Sequence, residues 1–173
     1  MIDLVFVDTN VLVYARQADA ASSKQQIAAE WMERLWREDR GRVSIQVLNE
    51  LYVTLTRKIR PAIKPDEAWD QVRTLMGWIT RAMDVDLLER GREIERRYRL
   101  SWWDSLVVAS AQAEGCALLL SEDLQDRAVF GSVTVRNPFV LGVSEAASEY
   151  AVEPTRRMRH RPRGRPKRAA TAA

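Results

Sequence analysis

Four carboxylates in this sequence stand where a strand or a helix is predicted to begin or end. They are Asp8, Glu50, Asp104 and Asp123. Carboxylates packed together raise one another's pKa unless a positive charge lies between them, and hard divalent cations such as Mg2+ and Mn2+ prefer oxygen ligands. A cation held in this way can lower the pKa of a water molecule and direct it at phosphorus. These residue types therefore predict metal-assisted cleavage of a phosphodiester.

Each of these acids also has a purely structural explanation. Asp8 could cap the helix that follows its strand, Glu50 could be a solvated helix residue, and Asp104 could be an N-cap or a first-turn acid. Asp123 and Asp126 could belong to a turn. Taken singly, the structural explanations are preferred, and it is the shared placement of the four acids that favours a site.

The elements that position the acids are predicted from hydrophobic periodicity and turn residues. A β-rich run at 2–7 ends at Asp8, and a buried strand at 117–120 ends just before Asp123. Helices are predicted at 23–37 (ended by Gly41), 47–55, 66–81, 87–99 and 103–114, and short strands at 43–45, 83–85 and 133–135. This alternation predicts an α/β fold, a three-layer α/β/α sandwich with a mostly parallel central sheet. Ligands of such sheets bind beyond the carboxyl ends of the strands, where Asp8 and Asp123 stand.

The charge distribution divides the chain into a domain and a tail. The 173 residues suffice for one domain, predicted at 1–143, and 144–173 is predicted to be a basic, disordered tail. Residues 155–173 hold eight arginines and lysines and no acid. Removing these eight from the 27 basic residues leaves 19 against 24 acidic ones, a formal charge of −5 for the rest. The basic tail is therefore predicted to contact nucleic acid nonspecifically.

Cysteine content and hydropathy predict a cytoplasmic protein. The single cysteine, Cys116, can form no internal disulfide. No apolar stretch reaches the roughly 18 residues that a membrane span requires, and Asp3 stands where a signal peptide would be basic. Secretion and membrane insertion are therefore not expected.

Four segments resemble the motifs of a known family. Residues 7–15 resemble the opening signature of PIN-domain nucleases, the ribonuclease family of the VapC-type toxins of type II toxin-antitoxin systems. The segments around Glu50, Asp104 and Asp123 resemble the second, third and fourth acidic motifs of that family. Each motif alone is short, but the four occur in order and at suitable spacing over about residues 3–140.

The resemblance implies a parallel-sheet α/β/α sandwich, Mg2+- or Mn2+-dependent endoribonuclease activity on RNA, a cognate antitoxin and a homodimer. The residues it assigns to the metal site are Asp8, Glu50, Asp104, Asp123 and, as a further candidate, Asp126. It also implies that Asn10 and Ser121 hydrogen-bond the ligands. Arg127 stands where glycine is more usual, which leaves the local turn and the choice between Asp123 and Asp126 open.

Two other functions are considered. A phosphatase of the haloacid dehalogenase type also has an aspartate after its first strand, but it requires a second one two residues later, where this chain has Asn10. The other alternative is a non-catalytic nucleic-acid-binding protein that acts through its tail, where 161–168 resembles a minor-groove AT-hook. The only histidine, His160, lies in that tail, which excludes a histidine-dependent ribonuclease mechanism.

Trp102 and Trp103 are expected to pack near Asp104, with substrate contact as the less favoured interpretation.

Overall fold

Five short strands form one central sheet. In the computed structural model, which describes residues 3–16 and 22–140, they are β1 (Val5–Val7), β2 (Gly41–Arg42), β3 (Leu118–Leu120), β4 (Val129–Phe130) and β5 (Val133–Arg136). Their order is β2-β1-β3-β5-β4, and all neighbours are parallel except β4 and β5. Every residue of β1 and β3 is buried. Because successive side chains on a strand point to opposite faces, both faces of the sheet are covered.

Helices cover the sheet and connect its parallel strands. Those in the described residues are α1 (Thr9–Arg16), α2 (Ser23–Glu38), α3 (Ile45–Val53), α4 (Pro65–Leu75), α5 (Val85–Tyr98) and α6 (Trp102–Ala113). A π-helical turn, Thr54–Lys58, continues α3, and a 3-10 turn, Met76–Trp78, continues α4. The predicted α/β sandwich with a mostly parallel sheet is confirmed.

The pairing of β1 with β3 brings two chain segments together at one edge of the sheet. Val7 lies opposite Leu120, and the Asp8 amide donates a hydrogen bond to the Leu120 carbonyl at 3.0 Å. Asp8 and Ser121 therefore follow directly from neighbouring parallel strands. The edge predicted to bind a ligand is thus formed as expected.

The helix predicted at 23–37 is found as α2, but the prediction that Gly41 ends it is wrong. Asp39 ends the helix in the left-handed conformation with φ 52°, and Gly41 lies in β2. A Cβ atom at Gly41 would lie 2.4 Å from the Trp78 ring, so this glycine is required by close packing against the indole. The strand predicted at 43–45 is wrong as well, because Ser44 caps α3 by accepting a hydrogen bond from the Val47 amide at 3.3 Å.

One boundary and two strands also differ from the prediction. The helix predicted at 66–81 ends at Leu75, where the 3-10 turn begins. The strand predicted at 83–85 is absent from the described structure, because the Asp84 carboxylate caps α5 by accepting from the Leu87 amide at 2.9 Å. The two-residue strand β4 was not predicted. The proposed domain boundary at 143 and the tail at 144–173 lie outside the described residues.

Membrane insertion was not expected from the sequence. Within 3–16 and 22–140, no helix combines the length and the apolar character needed to cross a bilayer.

Candidate active site

Asp8 is the most deeply buried acid of the candidate site. It lies between β1 and α1 and is only 8% exposed. Its Oδ1 accepts a hydrogen bond from the Thr9 backbone amide at 2.7 Å, and its Oδ2 accepts from the Ser121 hydroxyl at 2.7 Å and from the Asn10 side-chain nitrogen at 3.3 Å. Both carboxylate oxygens are therefore oriented by neighbours.

Asp123 is connected to Asp8 through Asn10. The Asn10 side-chain nitrogen donates to Asp123 Oδ2 at 3.0 Å as well as to Asp8, and its Oδ1 accepts from the Glu122 amide at 3.3 Å. The Ser121 hydroxyl, which donates to Asp8, also accepts from the Asp123 amide at 3.2 Å. The hydrogen-bonding roles expected for Asn10 and Ser121 agree with these contacts.

Glu50 reaches the same cluster from the middle of α3. Its Oε2 accepts a hydrogen bond from the Thr9 hydroxyl at 3.1 Å, and its Oε1 accepts from the Gln46 side-chain nitrogen at 2.9 Å. The consecutive residues Thr9 and Asn10 thus hold Glu50 and Asp123 beside Asp8. The structure therefore brings three of the four predicted acids together.

No direct hydrogen bond among the described residues joins Asp104 to these three acids. It lies in the first turn of α6, where Ser101 is the N-cap. The Ser101 hydroxyl oxygen accepts from the Asp104 amide at 3.1 Å and donates to the Asp104 carboxylate at 2.7 Å. The connection to the cluster is indirect, because Gln46 donates both to Glu50 and, at 3.3 Å, to the Trp103 carbonyl.

Asp126, the further candidate ligand, forms its side-chain hydrogen bonds with residues outside the cluster. Its carboxylate accepts from Arg136 Nη1 at 3.2 Å and from the Asn137 amide at 2.8 Å. The neighbouring Arg127 has φ 64°, so the chain keeps the left-handed turn that a glycine would favour. These contacts give Asp126 a structural task, whereas Asp123 contacts Asn10 within the cluster.

The electrostatics of the cluster are unfavourable for its own charges. Burial raises the pKa of the Asp8 carboxyl from its ordinary value of 3.8 to about 6. The hydrogen bonds from Ser121 and Thr9 lower this pKa, while the negative charges of Asp123 and Glu50 raise it further. A cation beside Asp8 would therefore stabilise its charged form.

The oxygen ligands of these residues suit a hard divalent cation, but their carboxylates do not lie close enough together to hold one. Carboxylate oxygens are the ligands that Mg2+ and Mn2+ prefer. Among the described residues, however, no three acidic, histidine or cysteine side chains converge closely enough to hold a metal ion. Between the carboxylates lie Thr9, Asn10 and Ser121, which donate hydrogen bonds to the carboxylate oxygens. A carboxylate oxygen that accepts one hydrogen bond can still bind a cation, so these contacts orient the acids, and metal binding would require the carboxylates to move closer together.

Two residues of the cluster were not identified from the sequence. Thr9 and Gln46 both donate hydrogen bonds to Glu50. Gln46 lies four residues before Glu50, the spacing at which helix side chains meet, so this contact could have been anticipated. The Thr9 contact joins residues 41 positions apart and could not.

Comparison with known proteins agrees with the fold and with the family resemblance. The family model of the PIN domain matches residues 5–129. No curated protein sequence matches the chain. The family match covers well over half of the sequence. Its family is the one that the four acidic segments resemble.

Three solved structures share the fold. VapC20 of Mycobacterium tuberculosis, described as a Sarcin-Ricin loop cleaving toxin, is 21% identical with a TM-score of 0.52, over 69% of this chain and 91% of that chain. FitAB bound to an IR36 DNA fragment is 17% identical with a TM-score of 0.60, over 80% and 97%. A toxin-antitoxin complex from Klebsiella pneumoniae is 17% identical with a TM-score of 0.54, over 78% and 97%. With the family match over residues 5–129, these likenesses lead to one conclusion: the chain belongs to the PIN-domain family.

Proposed function

We propose that this protein is a divalent-metal-dependent endoribonuclease and the toxin of a toxin-antitoxin pair. The observation that supports this best is the cluster of Asp8, Glu50 and Asp123 beyond the parallel strands β1 and β3. No lysine or arginine within the described ranges forms an ion pair with any of these three acids. A phosphodiester is itself an anion, so the cleavage of one by these carboxylates requires a cation between them and the phosphate.

The ligands that we assign to Mg2+ or Mn2+ are Asp8, Glu50, Asp104 and Asp123. When bound, the cation supplies Lewis-acid stabilisation of charge at phosphorus and a lower pKa for water. The protein supplies the orientation: Asn10 and Thr9 position the acids on either side of Asp8, and Ser101 holds Asp104 in the first turn of α6. Asp126 is not assigned, because Arg136 and Asn137 take its carboxylate.

The partners follow from the family and from the charge of the cluster. One structural neighbour is described as a toxin that cleaves the Sarcin-Ricin loop, and another is a toxin-antitoxin complex. We therefore infer an RNA substrate, a homodimeric assembly, action in the cytoplasm and a protein antitoxin. An antitoxin could neutralise the cluster with an arginine, whose guanidinium pairs well with carboxylates.

The proposal is tested by cleavage of a mixed pool of structured and single-stranded RNAs in Mg2+ or Mn2+ and in EDTA. The intact protein is compared with Asp8→Asn and Asp104→Asn, and with Asp70→Asn as a control at an exposed acid on α4. We expect metal-dependent cleavage that both site variants lose and the control keeps. Absence of cleavage by every form, with Mn2+ and RNA binding equal in parent and site variants, would exclude a nuclease.

A further inference from the structure

A groove lies beside the acid cluster. Of the four acids assigned to the metal site, only Glu50 lines it. It has a volume of about 620 Å³ and is lined by residues of α3, the π-helical turn and the first turns of α6. Glu50 lies in its wall, and Lys58 lies eight residues further along the same helical run. At the rise of an α-helix this corresponds to about 12 Å, so the groove leads away from the proposed cleavage site.

The walls of the groove expose large apolar side chains. Trp103, directly before Asp104, is 62% exposed, and Ile45, Val53 and Met83 are also exposed large hydrophobic residues. A cluster of such side chains on a surface marks a place where something binds. The flat face of an accessible indole is suited to stacking with a nucleobase, and such stacking tolerates any base.

A polar acceptor lies in the lining of the same groove. Gln46 is 6% exposed and donates to Glu50 and to the Trp103 carbonyl through its nitrogen. Its Oε1 is buried and accepts no hydrogen bond from the described residues. A buried acceptor without a donor is unusual in a folded protein. It provides an acceptor for the amino or imino group of a base once the groove is filled.

The chain segment that carries Lys58, the basic residue in the lining of the groove, is itself basic. Arg57, Lys58, Arg60 and Lys64 are all exposed, and no aspartate or glutamate occurs between Leu51 and Lys64. This contrasts with the formal charge of −5 of residues 1–154. Clustered basic side chains attract a phosphate backbone, whereas an apolar protein segment would gain little from them. π-Helical turns, such as the one that carries Lys58, are also frequent at functional sites.

We propose that this groove binds a nucleotide of the RNA next to the phosphate that is cut. Its base stacks on Trp103, and a backbone phosphate contacts Lys58. The inference rests on the proposed function, because Glu50 belongs both to the groove and to the assigned metal site. It makes Trp103 and Lys58 determinants of RNA affinity rather than of metal binding.

The test is the affinity of a fluorescently labelled single-stranded RNA of mixed sequence, measured by anisotropy in EDTA so that no cleavage occurs. The variants are Trp103→Ala, Trp103→Phe and Lys58→Ala. The controls are Trp69→Ala, at another exposed tryptophan on α4, and Arg37→Ala, at an exposed arginine on α2. The melting temperature of each protein is measured alongside.

We expect Trp103→Ala to weaken RNA binding at least fivefold and Trp103→Phe to stay within about threefold of the parent, because stacking needs an aromatic face. Lys58→Ala should reduce the slope of log affinity against log salt by about 0.7, the value for one lost contact to a single strand. Both controls should bind as the parent does.

Parallel cleavage assays separate this inference from the proposed function. RNA affinity that depends on Trp103 in a protein that cuts no RNA would support the groove and refute the nuclease. Metal-dependent cleavage with parental RNA affinity in Trp103→Ala and Lys58→Ala would refute the groove and leave the nuclease. The groove would also be refuted if the intact protein bound no RNA, or if Trp103→Ala lost only its affinity for a purified antitoxin.

Discussion

Asp8 should destabilise the folded protein at neutral pH whenever no cation compensates its charge. The carboxylate is almost fully buried, and Asp123 and Glu50 add negative charge beside it. Replacing it with asparagine preserves the size of the side chain and removes the charge. We therefore predict that Asp8→Asn abolishes metal-dependent activity and at the same time stabilises the metal-free protein.

The magnitude follows from the shifted pKa. One pKa unit corresponds to 1.36 kcal/mol, so the rise from 3.8 to about 6 corresponds to about 3 kcal/mol. Because the pKa of Asp8 is higher in the folded state, the protonated form stabilises the fold fully below pH 3.8, and this stabilisation is lost as the pH rises through 6. The amide nitrogen of the variant cannot accept a hydrogen bond, so its better orientation keeps the bonds from Ser121 and Asn10 and loses the bond from the Thr9 amide, worth about 1 kcal/mol. The net gain of the variant at pH 7.5 should be about 2 kcal/mol.

The assay is urea-induced unfolding in EDTA between pH 4 and pH 7.5, with Asp70→Asn as the control for a lost surface charge. The parent and the control should lose about 2 to 3 kcal/mol relative to Asp8→Asn over this range. Addition of Mn2+ at neutral pH should then stabilise the parent and the control, since a ligand that binds only the folded state shifts the unfolding equilibrium. Asp8→Asn should respond weakly.

Parallel pH profiles for the parent and Asp8→Asn in EDTA would refute this reasoning, because they would show that the charge of Asp8 costs the fold nothing. An Asp8→Asn protein less stable than the parent at pH 7.5 would do the same. Equal stabilisation of both proteins by Mn2+ would instead show that the cation binds elsewhere.

Three other predictions follow from particular contacts. Asp126→Ala should lower the free energy of unfolding by about 3 kcal/mol, because it removes the carboxylate from the buried Arg136. Its Mn2+ affinity, measured by calorimetry, should equal that of the parent. A selective loss of that affinity would make Asp126 a ligand. Gly41→Ala should cost about 2 kcal/mol in urea unfolding, because its Cβ would overlap the Trp78 ring, and an unchanged midpoint would contradict this packing. Deletion of residues 155–173 should leave metal-dependent cleavage intact while lowering nonspecific RNA affinity at low salt; loss of all function would favour the tail-driven binding protein.

Hydrophobic periodicity predicted most of the fold, and local capping explains where it failed. The buried strand at 118–120 and the amphipathic helix α2 each satisfied one pattern over enough residues to be recognised. Ser44 and Asp84 begin helices where apolar neighbours suggested strands, because a single side chain can satisfy the amide of a helix's first turn. Short apolar runs cannot distinguish these outcomes without the contact itself.

The candidate site could be predicted only as far as topology dictates it. Asp8 and Asp123 follow strands that pair in parallel, so their proximity follows from the order of the elements. The placement of Asp104 relative to the cluster depends on how α6 lies relative to α3, where Gln46 of α3 donates to Glu50 and to the Trp103 carbonyl of α6. No pattern along the chain predicts how these two helices lie relative to each other.

The loop after β3 shows how two aspartates three residues apart come to serve different purposes. Arg127 adopts a left-handed conformation that costs a residue with a side chain roughly 1 kcal/mol. The conformation is maintained because the Arg127 amide donates to the Val135 carbonyl at 2.9 Å and Asp126 accepts from the Asn137 amide. Since these contacts tie the loop to the end of β5, its position does not depend on Asp123. Asp123 can therefore turn toward a cation without loosening the loop that presents it.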